Sequence, residues 1–208
     1  MSSPGRRHVH TRSIRVEAFA RDDGLWDLEA ELIDTKARDF PLATGTRKAG
    51  DPVHEMRLTV TIDTQLNIVD ANAAASWVPY RGHCDAIAPD YRKLIGLNLT
   101  QDFRRQLRER LGGVQGCTHI TELAGVLPTA AVQSFAGEVF KTRDSAQGAH
   151  AGSAANTEKE PERKPFQLDR CHALRTDGAA VKQFYPRWYR PSAATGTADN
   201  QQDEVDTR

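Results

Sequence analysis

The sequence predicts an α+β fold of two layers, in which two antiparallel β-hairpins form a sheet and about three helices cover one face of it. Strict period-two alternation in the first third of the chain, followed by helical periodicity, predicts this order of strands and then helices. A length of 208 residues suits one domain with extensions.

The first hairpin covers residues 12–34. In "RSIRVEAFA" Ile14, Val16 and Ala18 alternate with Arg15 and Glu17, and Asp23-Gly24 suits a tight turn. The return strand "LWDLEAELID" sets Trp26, Leu28, Ala30 and Leu32 on one face and Asp27, Glu29 and Glu31 on the other. Pro41, Gly45, Gly50 and Pro52 mark residues 35–52 as a loop. A second hairpin follows. "HEMRLTVTID" aligns His54, Met56, Leu58, Val60 and Ile62, and "TQLN" turns the chain into "IVDANAAA". His54 opens an otherwise apolar row at the edge of the core, a place for either a hydrogen-bonded rim histidine or a ligand.

Helices come next. A short one is expected around "APDYRKLIG", with Pro89 in its first turn. In "NLTQDFRRQLRERLGG" Leu99, Phe103, Leu107 and Leu111 recur every four residues, Thr100 can cap, and Gly112 ends the helix. A last helix runs through "THITELAGVLPTAAVQSFAG", with Ile120, Leu123, Leu127, Ala131 and Phe135 as its apolar stripe, a kink expected at Pro128, and Cys117 just before its first turn.

The expected organisation is a disordered N-terminus over 1–10, a core over 11–138, a flexible linker over 139–165, a docked segment over 166–190 and a disordered tail over 191–208. The linker assignment rests on "TRDSAQGAHAGSAANTEKEPERK", which is small, polar and charged. "RTDGAAV" resembles a turn into a strand.

Balanced charge, 28 basic against 28 acidic residues, makes no electrostatic case for nucleic acid or a membrane surface. The N-terminus lacks the apolar segment of a secretory signal and no apolar run is long enough to span a bilayer, so the chain reads as cytoplasmic. There thiols pack, bind metal or react more often than they form disulfides. All three cysteines lie beside a histidine: Cys84 next to His83, Cys117 two residues from His119, and Cys171 before His172. Cys84, at the start of the helical region, and Cys117, at a helix N-terminus that favours a thiolate, can meet His54 at one end of the sheet. Thiolate and imidazole suit zinc, iron or copper.

Without a CxxC or finger-like spacing, inert core cysteines stay open as an alternative. So does an activated Cys117 paired with His54 or His119 in a cysteine-dependent acyl-transfer or hydrolytic enzyme. A third reading is a partner-binding module using "FYPRWYR". "LGGVQGC" follows a helix rather than a strand, and so is a helix stop rather than a phosphate loop.

Two resemblances extend this. "DDGLWDLEAELIDTK", "VHEMRLTVTID", "LGGVQGCTHITEL" and "CHALRTDGAAVKQFYPRW" resemble the bacterial family called domain of unknown function 2889, over most of residues 8–190. "EMRLTVTIDTQLNIVDANAAA", "GHCDAIA" and "GCTHITELAGVLPTAAVQSF" are similar in order to iron–sulfur scaffold proteins of the NifU and IscU type, over about residues 53–137. That likeness implies a SufE/NifU-like fold, with Cys84 and Cys117 at two scaffold cysteine positions. It departs from the scaffold pattern in having no cysteine before the third strand and Gly116 where the scaffold has a histidine. The resulting expectation is an accessory protein that binds iron, an iron–sulfur cluster or zinc through His54, Cys84, Cys117 and His119, with His83 and Cys171 in reserve. A protein is the partner class it leaves open.

Overall fold

The computed structural model describes residues 4–140 and 164–191. After residues 4–9, which belong to no helix or strand, the chain forms β1 (His10–Ala20) and β2 (Trp26–Lys36), then a small hairpin of β3 (Phe40–Leu42) and β4 (Gly45–Arg47). β5 (Pro52–Ile62) and β6 (Ile68–Trp77) complete a four-stranded antiparallel sheet in the order β1-β2-β5-β6. The two expected hairpins are present.

The turns follow from their side chains. Gly24 takes φ +82°, open to glycine at no steric cost, and Asp23 accepts the Leu25 amide. Between β5 and β6, Asp63 accepts the amides of Gln65 and Asn67 and the Asn67 side chain, while Leu66 adopts φ 67°. The segment expected as a loop over 35–52 is more ordered than its prolines and glycines suggest. β2 extends to Lys36, and Phe40–Leu42 pairs with Gly45–Arg47 around a two-residue turn.

One sheet face is apolar. Leu28, Ala30 and Leu32 of β2, Met56, Leu58, Val60 and Ile62 of β5, and Ile68 and Ala71 of β6 are buried there. Glu29 and Arg57 stand exposed on the other face. Period two thus settles which way each strand faces, because a one-residue slip would turn its whole apolar set into water.

The helical layer covers the apolar face. A 3-10 segment, Asp85–Leu94, packs on β6 and buries Ala88, Tyr91 and Leu94. Pro89 lies inside it, where its missing N–H removes a helical hydrogen bond. Residues 96–99 then pair with 66–68 (Ile68 N to Leu97 O 2.8 Å, Gly96 N to Ile68 O 2.8 Å, Leu99 N to Leu66 O 2.9 Å). Asn98 fastens this junction by donating to Gln65 O and Asn67 Oδ1 and accepting from Thr100.

α1 (Phe103–Leu111) buries Phe103, Leu107 and Leu111 of the expected stripe, while Leu99, its first member, is buried ahead of the helix, where its amide pairs with Leu66. Thr100 does not cap it, since its hydroxyl and amide are bound to Asn98, and Asp102 at φ 54° flanks the first turn instead. α2 (Thr118–Phe135) packs across β1, β2 and β5 with all five expected stripe residues buried, and it continues through Pro128. Phe135 meets Trp26 at 4.9 Å between ring centroids.

The chain divides into two compact units, 1–139 and 140–208. In the second, Phe140 and Phe166 rings lie 4.9 Å apart, and Asp169 organises the following loop by accepting Lys164 Nζ and the Thr176 amide and hydroxyl. These bonds hold the Asp169 carboxyl down at about 2, the Lys164 contact contributing most. The expected turn into a strand at "RTDGAAV" is instead a turn into a helix, α3 (Ala179–Phe184), for which Gly178 supplies the flank. The bulk of the expected linker, residues 141–163, and nearly all of the expected tail, residues 192–208, lie outside the described residues. Among the described residues no helix is long and apolar enough to cross a membrane.

Candidate metal centre

At one end of the apolar sheet face three strands place polar residues in register. Arg12 of β1 stands opposite Asp34 of β2, and Asp34 opposite His54 of β5. Each continues its strand's inward parity: Arg12 extends Ile14 and Val16, Asp34 extends Ala30 and Leu32, and His54 extends Met56 and Leu58. Asp34 is therefore carried into the interior, where it is 2% exposed. The Arg12 guanidinium grips both its oxygens, Nε to Oδ1 and a terminal nitrogen to Oδ2, each at 2.8 Å. His10 Nε2 lies 3.2 Å from Oδ1, and His54 Nδ1 lies 3.1 Å from Oδ2.

The first turns of α2 close the cluster from the helical layer. His119 Nε2 stands 3.6 Å from Asp34 Oδ2, and its ring stacks on His54 with centroids 3.8 Å apart at 29°. Glu122 accepts a further bond from Arg12. Burial pushes the Asp34 carboxyl up, but the Arg12 hydrogen bond and charge, followed by His54 and His10, outweigh it and hold Asp34 below its ordinary value. Burial pushes His54 down, reinforced by His119, against the pull of Asp34. His119 is lowered by burial and then by Arg12, against Asp34 and Glu122. A buried carboxylate thus faces two imidazoles that favour their neutral form.

His119 is placed by the anchoring of α2. The fully buried Tyr91 hydroxyl accepts the Cys117 amide at 2.9 Å and lies 2.7 Å from Thr121 Oγ1, which donates to Leu111 O at 3.1 Å. Burial, the largest influence on the Tyr91 phenol, pushes its pKa up, so it stays a donor. Tyr91→Phe should cost about 1–3 kcal/mol, because the Cys117 amide loses its partner in a buried place. Urea unfolding measures this, and a loss under about 0.5 kcal/mol would mean that the hydroxyl does not anchor the helix. Just before α2, a Cβ on Gly116 would stand 2.2 Å from the Leu111 carbonyl oxygen. The backbone leaves no room for a side chain there.

Of the residues singled out by sequence, His54 and His119 meet. Cys117 sits beside them with Sγ 3.8 Å from His119 Nδ1, on the ring edge away from Asp34. Cys84 is half-buried at the start of the 3-10 segment, His83 is exposed, and Cys171 is exposed in the second unit. Among the described residues, Asp34, His54 and His119 are the group whose ligand atoms converge, all within 4.8 Å of one another, and neither Cys84 nor Cys117 belongs to it. Asp34, Arg12, His10 and Glu122 were not singled out by sequence. The available signal was parity: Asp34 falls two residues beyond Leu32 on the buried face.

The family model described as a protein of unknown function (DUF2889) matches residues 10–133, from the first residue of β1 to near the end of α2, and so spans every member of this cluster. No curated protein matches the chain, and no solved structure matches it.

Proposed function

The chain belongs to the DUF2889 family of proteins of unknown function, and from that premise we propose that it is an accessory protein binding one zinc or iron(II) ion through Asp34, His54 and His119. The convergence of these three ligand atoms at a buried carboxylate carries the reading. Two imidazoles and a carboxylate are the donor set of open zinc and non-haem iron sites. With ligand bonds of about 2.0–2.1 Å, the edge of a tetrahedral shell is about 3.3 Å. The separations of Asp34 Oδ2 from His54, 3.1 Å, and from His119, 3.6 Å, bracket that edge.

The ion takes the place of the proton that the carboxylate shares with the imidazoles. Stacked rings aim their lone pairs nearly parallel, so binding turns one ring and separates the stack. Arg12 keeps the carboxylate oriented, the part that outer hydrogen-bond partners play around metal ligands. Its charge also lowers affinity. A mononuclear ion fits better than an iron–sulfur cluster, which needs several thiolates, because the convergent group has none.

The test is elemental analysis of protein purified anaerobically without a metal-affinity tag. About one ion per chain is expected in the wild type and in Cys84→Ser/Cys117→Ser. His54→Ala/His119→Ala should lose it, and equal metal in that variant would sink the assignment.

One observation favours a second reading, a cysteine enzyme. Cys117 Sγ faces His119 Nδ1 while His119 Nε2 faces Asp34, the order of nucleophile, base and orienting carboxylate. The Cys117 amide is bound to Tyr91 and is not free to stabilise an oxyanion. Iodoacetamide labelling of Cys117 in chelator-treated protein separates the readings. Rapid alkylation at pH 6 that His119→Ala abolishes would favour the enzyme, and slow alkylation in both proteins would remove it.

A further inference from the structure

The two edges of the sheet differ. β6 carries two register shifts against β5 and is backed by the 3-10 segment, both devices that blunt an edge. β1 pairs with β2 over eleven residues with no register shift, contains no proline or lysine, and among the described residues has no strand on its other side. Its residues are exposed almost throughout, with Ile14 38% and Phe19 46% exposed. A long regular edge of this kind is a template for another strand.

We propose that the occupant is a second copy of this chain, pairing β1 with β1 antiparallel about a two-fold axis at Val16. The charge pattern selects this register. With Val16 opposite Val16, each Arg15 faces the other copy's Glu17, and each Ile14 faces the other copy's Ala18. Arg15 and Glu17 already pair within one strand at 2.6 Å, so the two copies place four alternating charges on one face. Centring the axis at Arg15 sets two arginines opposite each other, and centring it at Glu17 sets two glutamates opposite each other. Pairing about Val16 also matches inward residues with inward ones, so the two sheets continue as one of eight strands with both helical layers on the same side.

The test is sedimentation and light scattering of the full chain over a concentration series, with Arg15→Glu, Glu17→Arg and the double exchange. Both side chains are exposed and lie outside the Asp34 cluster, so circular dichroism should show the same fold in every variant. A wild-type dimer is expected, with its dissociation constant raised about tenfold or more by each single reversal and returned to within about threefold of wild type by the double exchange. A monomer at every concentration would overturn the proposal. So would an open series of oligomers, or a double exchange as weak as the single reversals.

Discussion

Arg12→Met should destabilise the metal-free protein by about 3 kcal/mol at pH 8, and the deficit should shrink as the solution is acidified. Removing one partner of a buried ion pair costs about 3–5 kcal/mol. The lower end applies because Arg12 keeps a third of its side chain in water while Asp34 keeps 3%. The pH dependence has a definite sign. In the wild type, His54 and His119 are held below the ordinary imidazole value of 6.5, so the folded protein binds fewer protons than the unfolded chain just below that pH. Their contribution is complete above 6.5 and is lost as pH falls through the folded values. Asp34 adds a second loss of the same sign at lower pH, below 3.8.

Arg12 is one of the groups that lowers both imidazoles. Without it they titrate higher and their protons compensate the abandoned carboxylate. Urea unfolding of both proteins in chelator from pH 8 to pH 5 measures the difference. A deficit that stays constant or widens on acidification would show that the guanidinium does not set the protonation of the cluster.

Saturating zinc should stabilise the wild type by about 4 kcal/mol when free metal exceeds its dissociation constant about a thousandfold, and should leave His54→Ala/His119→Ala unmoved. For a unit of this size that is a rise in Tm on the order of 10 °C. The stabilisation should weaken below pH 6.5, because each imidazole must give up a proton to bind. Thermal melts with and without metal read it directly. An equal rise in the double variant would place the ion elsewhere.

The strands and their facing were legible because the rule is local. Leu28, Ala30 and Leu32 against Glu29 and Glu31 leave one way to bury β2, and Leu58 and Val60 against Arg57 and Thr59 leave one way to bury β5. The stripes of α1 and α2 follow similarly from a spacing of three and four. Local chemistry misleads where partners come from far along the chain. Thr100 reads as a helix cap until Asn98 takes its hydroxyl, and Pro41 reads as loop until β4 pairs beside it.

The candidate site divides along the same line. Sequence alone singled out His54 and His119, because a histidine opening an apolar row and one two residues from a cysteine are visible within their own segments. It also marked Cys84, since its neighbour is an imidazole, but adjacency in sequence says nothing about convergence in space. Only the tertiary structure joined the two histidines to Asp34 and gave that carboxylate an arginine. The reason is physical: a carboxylate is ordinarily held in water by its charge, and Asp34 becomes a buried anion only when β1 supplies Arg12 opposite it and α2 closes over both.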